Sequence, residues 1–166
     1  MHIADDHFNH GAALIQIAEH KKFTAINSIR INRKTLRNTY KINNNIAVYL
    51  KYATKPKGIY DEYKFTFFQD HLKELKKLRA RYEKIYLVLI CVDDREICLL
   101  SYDRFLSFLN KRLNAVGYKE DQFLLIVRIL KGKSLRVYVN KPKTKGRFLD
   151  KELVINRNDF PKNIFI

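Results

Sequence analysis

Two stretches of this chain carry lysine and arginine with no carboxylate among them. Between Lys21 and Tyr60 stand Lys21, Lys22, Arg30, Arg33, Lys34, Arg37, Lys41, Lys51, Lys55 and Lys57. Between Phe123 and Leu149 stand Arg128, Lys131, Lys133, Arg136, Lys141, Lys143, Lys145 and Arg147. These eighteen are more than half of the 33 basic side chains in a chain of net charge +16. Like charges gathered this way repel one another and cost stability, and their commonest use is to meet the regularly spaced phosphates of a nucleic acid. The chemistry written most plainly here is anion binding.

Within the two blocks some positions stand out. Asn140-Lys141-Pro142-Lys143-Thr144-Lys145-Gly146-Arg147 reads as a short finger, with four cations and two backbone punctuators, able to track a groove. Lys51 and Arg128 interrupt apolar strand-like runs, and burying a charge without a partner is expensive. Either their aliphatic stems lie on a sheet with the charged ends reaching water, or both aim at a phosphate. Tyr40, Tyr49, Tyr52, Tyr60, Tyr63 and Tyr138 interleave with the cations and have the means to stack on a base or bond a phosphate oxygen, although strands favour aromatics for packing alone. The expected nucleic-acid contacts are Arg30, Arg33, Lys34, Arg37, Lys51, Lys55, Lys57, Arg128, Arg136, Tyr138, Lys141, Lys143, Lys145 and Arg147.

Other reactive side chains carry less. His7 and His10 are one helical turn apart but have no third ligand at metal-binding spacing, so they read as surface or capping histidines. Cys91 and Cys98 sit inside apolar runs rather than in a C-x-x-C loop, which predicts buried free thiols. No resident metal or cofactor is expected from spacing.

The elements that must position these residues alternate in kind. Residues 6–20 predict a helix with Phe8, Ala12 and Ile15 on its buried face. Strands follow at 24–32, 39–43 and 46–53, with Asn43-Asn44-Asn45 as a turn. A short strand at 65–68 leads into a helix over 69–84 whose buried face is Leu72, Leu75, Leu78 and Tyr82 and whose outer face is basic. Eight apolar residues, 85–92, predict a strand covered on both sides, reached as a parallel crossover would reach it. A return strand at 96–102, a helix capped by Asp103, and a hairpin of 123–130 with 134–140 complete the pattern, and the tail from Phe148 is apolar enough to dock. The expected architecture is α/β (α+β), a mixed central sheet flanked by helices, in one domain over residues 1–166. No apolar run is long enough to span a bilayer and the N-terminus lacks the pattern of a signal peptide, so the expected setting is cytoplasmic, with no membrane partner.

The order of the first half, a helix, a meander of strands, then a helix leading into a buried strand, resembles the core of restriction-endonuclease-like proteins, the PD-(D/E)XK nucleases. The likeness covers about residues 5–92 and is one of topology. It implies a metal-dependent enzyme that cuts DNA or RNA, in which an Asp and an acid-x-Lys triplet on adjacent strands hold Mg²⁺ beside the scissile phosphate and the lysine orients or deprotonates the attacking water. In one register the lysine is Lys51, with Tyr49 where the family has an acid. In the other the triplet is Glu62-Tyr63-Lys64, with Asp61 beside it and Glu19 on the first helix as a further carboxylate; Asp61 and Glu62 also read simply as a solvated turn after a Pro-Gly loop. The leading expectation is therefore a nucleic-acid-binding domain, for DNA first, with a degenerate or absent nuclease site. The alternatives are a Mg²⁺-dependent endonuclease using Glu19, Asp61, Glu62 and Lys64, or a basic module that docks an acidic protein partner.

Overall fold

The computed structural model describes all 166 residues. Five strands form a mixed sheet, here sheet A, in the order β1 (Ile26–Ile31), β2 (Lys34–Ile42), β3 (Ile46–Ala53), β5 (Lys84–Cys91) and β6 (Glu96–Ser101). β3 and β5 run parallel and every other pair in sheet A is antiparallel. The crossover between the parallel pair contains β4 (Glu62–Phe68) and α2 (Gln69–Arg79). The central mixed sheet expected from the alternating pattern is thus present.

A second sheet was not expected. β4 leaves sheet A and pairs antiparallel with β7 (Gln122–Arg128), from Glu62↔Arg128 to Phe68↔Gln122. β8 (Leu135–Tyr138) and β9 (Leu153–Ile155) extend it into a four-stranded sheet B, ordered β4-β7-β8-β9. Pairing with β7 lengthens β4 by three residues over the 65–68 reading, and so buries Glu62 at the start of a strand, while Asp61 stays in the exposed turn before it.

Sheet A is the middle of the molecule. On one face Val48, Leu50, Val88 and Ile90 pack against Ala13 and Ile17 of α1 (Asp5–Ala18) and against Ile164 and Phe165 of the C-terminal turn. The other face carries Ala47, Tyr49, Leu87 and Leu89 and is covered by α2, by α3 (Tyr102–Val116) and by the inner side of sheet B, through Leu75, Phe105, Phe65 and Phe67. Alternating side chains explain how one strand feeds both cores. Both cysteines are buried and free, and burial pushes the Cys98 thiol up to about 12 and that of Cys91 higher still.

Local chemistry sets the connections. Asn32 and Arg33 both take positive φ, the two-residue hairpin geometry that joins β1 to β2 and lets β2 begin at Lys34, five residues before the 39–43 reading. Asn43 accepts hydrogen bonds from the Thr24 and Ala25 amides and donates to the Lys22 carbonyl, so the Asn43–Asn45 turn holds the chain entering β1. Ser101, not Asp103, accepts from the third residue of α3, and Gly117 at φ 85 ends that helix. α2 stops at Arg79 rather than Lys84 because residues 80–83 must turn the chain into β5. α1 buries His10, Ala13 and Ile17, whereas Phe8, Ala12 and Ile15 face solvent, the reverse of the expected orientation.

Candidate nucleic-acid interface

The finger rises from the end of β8. Its base is closed by the Lys141 amide donating to the Arg147 carbonyl at 2.9 Å and the Leu149 amide donating to that of Val139 at 2.8 Å. Burial alternates along it: Lys141, Lys143, Lys145 and Arg147 are exposed, while Pro142, Thr144, Gly146 and Phe148 are half-buried. The four cations are therefore exposed on a loop whose alternate residues are partly covered. Lys143 and Gly146 adopt positive φ, which the tight turns of the finger require.

What holds the finger links it to the first basic block. The Tyr60 ring lies against Gly146 so closely that a Cβ there would fall within 3 Å of three ring carbons. Tyr60 ends the loop that carries Lys55 and Lys57, and Lys57 exchanges backbone hydrogen bonds with Glu62 (2.8 and 3.0 Å), which pins that loop to β4. Lys55 and Lys57 are exposed. Six cations from sequence segments some ninety residues apart thus flank one loop-to-loop contact.

Beneath the finger is a polar layer on the outer face of sheet B. The Tyr138 hydroxyl donates to Glu62 Oε2 at 2.5 Å, and both side chains are buried. Burial first, and then the Glu62 carboxylate, push the Tyr138 phenol well above its ordinary value. Phe148 closes the layer with its ring centroid 4.5 Å from that of Tyr138. Glu62, Arg128 and Arg136 are successive cross-strand neighbours, and Arg136 lies 3.9 Å from Glu152. Arg128 Nε and Asn140 Oδ1 are buried without hydrogen-bond partners in this layer. Tyr138 is accordingly a support for the finger, not the exposed stacking residue the sequence suggested; Tyr49 and Tyr63 are likewise buried, and the Tyr63 hydroxyl donates to Asp94.

The remaining expected contacts lie elsewhere. Arg30, Arg33, Lys34 and Arg37 are exposed on the β1–β2 hairpin, at the free edge of sheet A, where Arg81 reaches the Arg30 carbonyl at 2.8 Å. Lys51 is half-buried between the sheets with Nζ 5.2 Å from the Phe67 ring centroid. Desolvation lowers its pKa, opposed by Asp70. Arg128 is on the outer side of sheet B, so Lys51 and Arg128 lie in different parts of the fold and face no common point. Of the thirteen lysines and arginines among the expected contacts, only Arg136 has a carboxylate oxygen within 4.0 Å.

The nuclease residues do not assemble. Glu19 caps the end of α1, on the far side of sheet A from Glu62, whose carboxylate is occupied by Tyr138. Asp61 sits exposed in a positive-φ turn, and Lys64 is exposed on the outer face of β4. In the other register Lys51 has buried Tyr49 two residues before it and Thr39 opposite Tyr49 on the adjacent strand, neither of them an anionic ligand. No three His, Cys, Asp or Glu side chains anywhere in the chain converge at metal-holding range, so the residues present do not fit Mg²⁺. His7 is exposed, while His10 is buried beside Tyr52, with desolvation lowering its pKa. No helix is long and apolar enough to cross a membrane. No protein-family model, curated protein or solved structure matches the chain.

Proposed function

We propose that this protein binds nucleic acid, duplex DNA in the first instance, through its phosphate backbone and without cutting it. One observation carries the reading: Lys55, Lys57, Lys141, Lys143, Lys145 and Arg147 are exposed, free of carboxylate partners, and grouped around the Tyr60–Gly146 contact. A fold that gathers six uncompensated cations keeps their mutual repulsion unless an anion relieves it. Phosphate contacts of this kind position a polymer without reading bases. The β1–β2 hairpin offers a second cationic surface for a longer stretch of the same polymer. The topological resemblance to restriction-endonuclease-like cores is kept within this proposal as a scaffold that grips nucleic acid; in the Lys51 register of that resemblance Tyr49 stands where the family has an acid.

Labelled duplex DNA and RNA, incubated with the protein in Mg²⁺, Mn²⁺ or chelator, test both halves of the proposal. The expected result is retarded, intact DNA in all three conditions. Cleavage that requires the metal and is abolished by Glu62→Ala would reinstate the endonuclease reading.

A further inference from the structure

The first twenty residues run against the rest of the chain: they hold Asp5, Asp6 and Glu19 and no lysine or arginine, in a protein of net charge +16. α1 turns His10, Ala13 and Ile17 toward sheet A and leaves Phe8 73% and Ile15 61% exposed, with exposed Ala12 between them. Spacings of four and three place these residues in one apolar stripe along the outside of the helix. Carboxylates stand at both of its ends.

The opposite side of the molecule has the complement. α2 and α3 flank a groove of about 810 Å³ lined by Leu72, Leu106, Leu109 and Phe123, with Leu113 and Tyr118 on its lip. Its rim carries Lys73, Lys76 and Arg79 from α2, and Arg112 and Lys119 from the other side. Glu120, the one carboxylate in the lining, is held by Arg112 at 2.7 and 2.9 Å, and Arg79 pairs with Asp103 at 3.1 Å. Lys73, Lys76 and Lys119 have no acid partner.

An acidic helix with a bare apolar stripe and an apolar groove with a cationic rim therefore occur in one chain, on opposite faces of sheet A. No copy can fill its own groove. We propose that α1 of one copy docks in the α2–α3 groove of a second copy. Fourteen residues of helix are about 21 Å long, a match for the fifteen-residue α3 that forms one wall. Phe8, Ala12 and Ile15 are the anchors of a helix-in-groove contact, and Asp5, Asp6 and Glu19 meet the unpaired lysines of the rim. Because the two surfaces differ and lie on opposite sides, the contact is heterologous and propagates head to tail instead of closing as a two-fold dimer.

Sedimentation velocity on the full chain, free of nucleic acid and at ~0.15 M salt, tests this across a concentration series. The average mass of the wild type should climb past that of a dimer. Phe8→Lys with Ile15→Lys removes the stripe, and Lys76→Glu with Leu113→Asp removes the groove; each pair should weaken self-association at least about 30-fold. Mixed in equal amounts, the two double variants should form a 1:1 complex and nothing larger, since one intact stripe and one intact groove remain. That outcome also requires both variants to be folded. A wild type still monomeric at ~1 mM, a closed dimer that both double variants preserve, or folded variants that stay apart on mixing would each overturn the proposal. So would a monomeric wild type whose groove takes an acidic amphipathic peptide, which would assign the groove to a different protein.

Discussion

Replacing Gly146 by alanine changes no charge, yet it should disturb the cationic surface. The residue sits at φ 71, where an L side chain costs roughly 1 kcal/mol, and the added methyl would overlap the Tyr60 ring. To relieve the overlap the ring must swing away, which forfeits the packing of a half-buried aromatic, on the order of another 1 kcal/mol. The total cannot exceed the free energy with which the finger docks, because the finger can undock while the sheets stay folded. At about 2–4 °C per kcal/mol for a chain of this size, the thermal midpoint should fall by less than about 8 °C. In a Tyr60→Ala background only the backbone strain remains, so Gly146→Ala should cost about half as much there, a coupling of about 1 kcal/mol in a double-mutant cycle. An undocked finger must be ordered again on binding, so fluorescence anisotropy with duplex DNA should show roughly three- to tenfold weaker affinity with an unchanged salt dependence. Wild-type affinity in Gly146→Ala, or equal cost in both backgrounds, would refute the claim that this contact holds the cations in place.

Two further substitutions probe the supports of the site. Tyr138→Phe leaves the buried Glu62 carboxylate without its hydrogen-bond donor and should cost about 1–3 kcal/mol in urea denaturation with an unchanged slope, because the packing is otherwise kept. The Arg112 guanidinium, through its hydrogen bonds, holds the Glu120 carboxyl below its ordinary value of 4.5. The unfolded chain then binds the proton more readily, so the stabilisation is complete above pH 4.5 and is lost as pH falls through the depressed folded value. Arg112→Gln should remove about 1 kcal/mol at pH 7, after allowance for partial exposure, and flatten that acid-side loss in pH-dependent melts.

How far the fold could be read from the residues depended on whether the deciding interaction was local. β3 was legible to the residue, since its apolar run is bounded by the Asn43–Asn45 turn and a Lys-Pro-Lys-Gly loop, and β5 to within one residue. Sheet B was not: alternation along β4 tells which side chains share a face, but not that the partner is β7, sixty residues away. The same holds for Glu62, whose burial depends on Tyr138 at a separation of 76 residues. α1 carries two stripes at helical spacing, Phe8-Ala12-Ile15 and His10-Ala13-Ile17, and only the position of the sheet decides between them. α2 stopped short because the start of β5 outweighed a pattern that continues to Tyr82. The basic blocks were visible because charge is compositional. That Lys55 and Lys57 sit beside the finger depends on the Tyr60–Gly146 contact, for which Gly146 was a signal only in retrospect. The α2–α3 groove was missed altogether, because it exists only where α2 and α3 lie side by side, which no local pattern in either helix encodes.

The most direct test of phosphate binding is the salt dependence of DNA affinity for the wild type and for the variant with Lys141, Lys143, Lys145 and Arg147 all changed to alanine. Six phosphate contacts at about −0.9 each give a log–log slope near −5.4, and the loss of four should bring it to about −1.8. Affinity that ignores ionic strength, or a slope the fourfold variant leaves unchanged, would contradict the account.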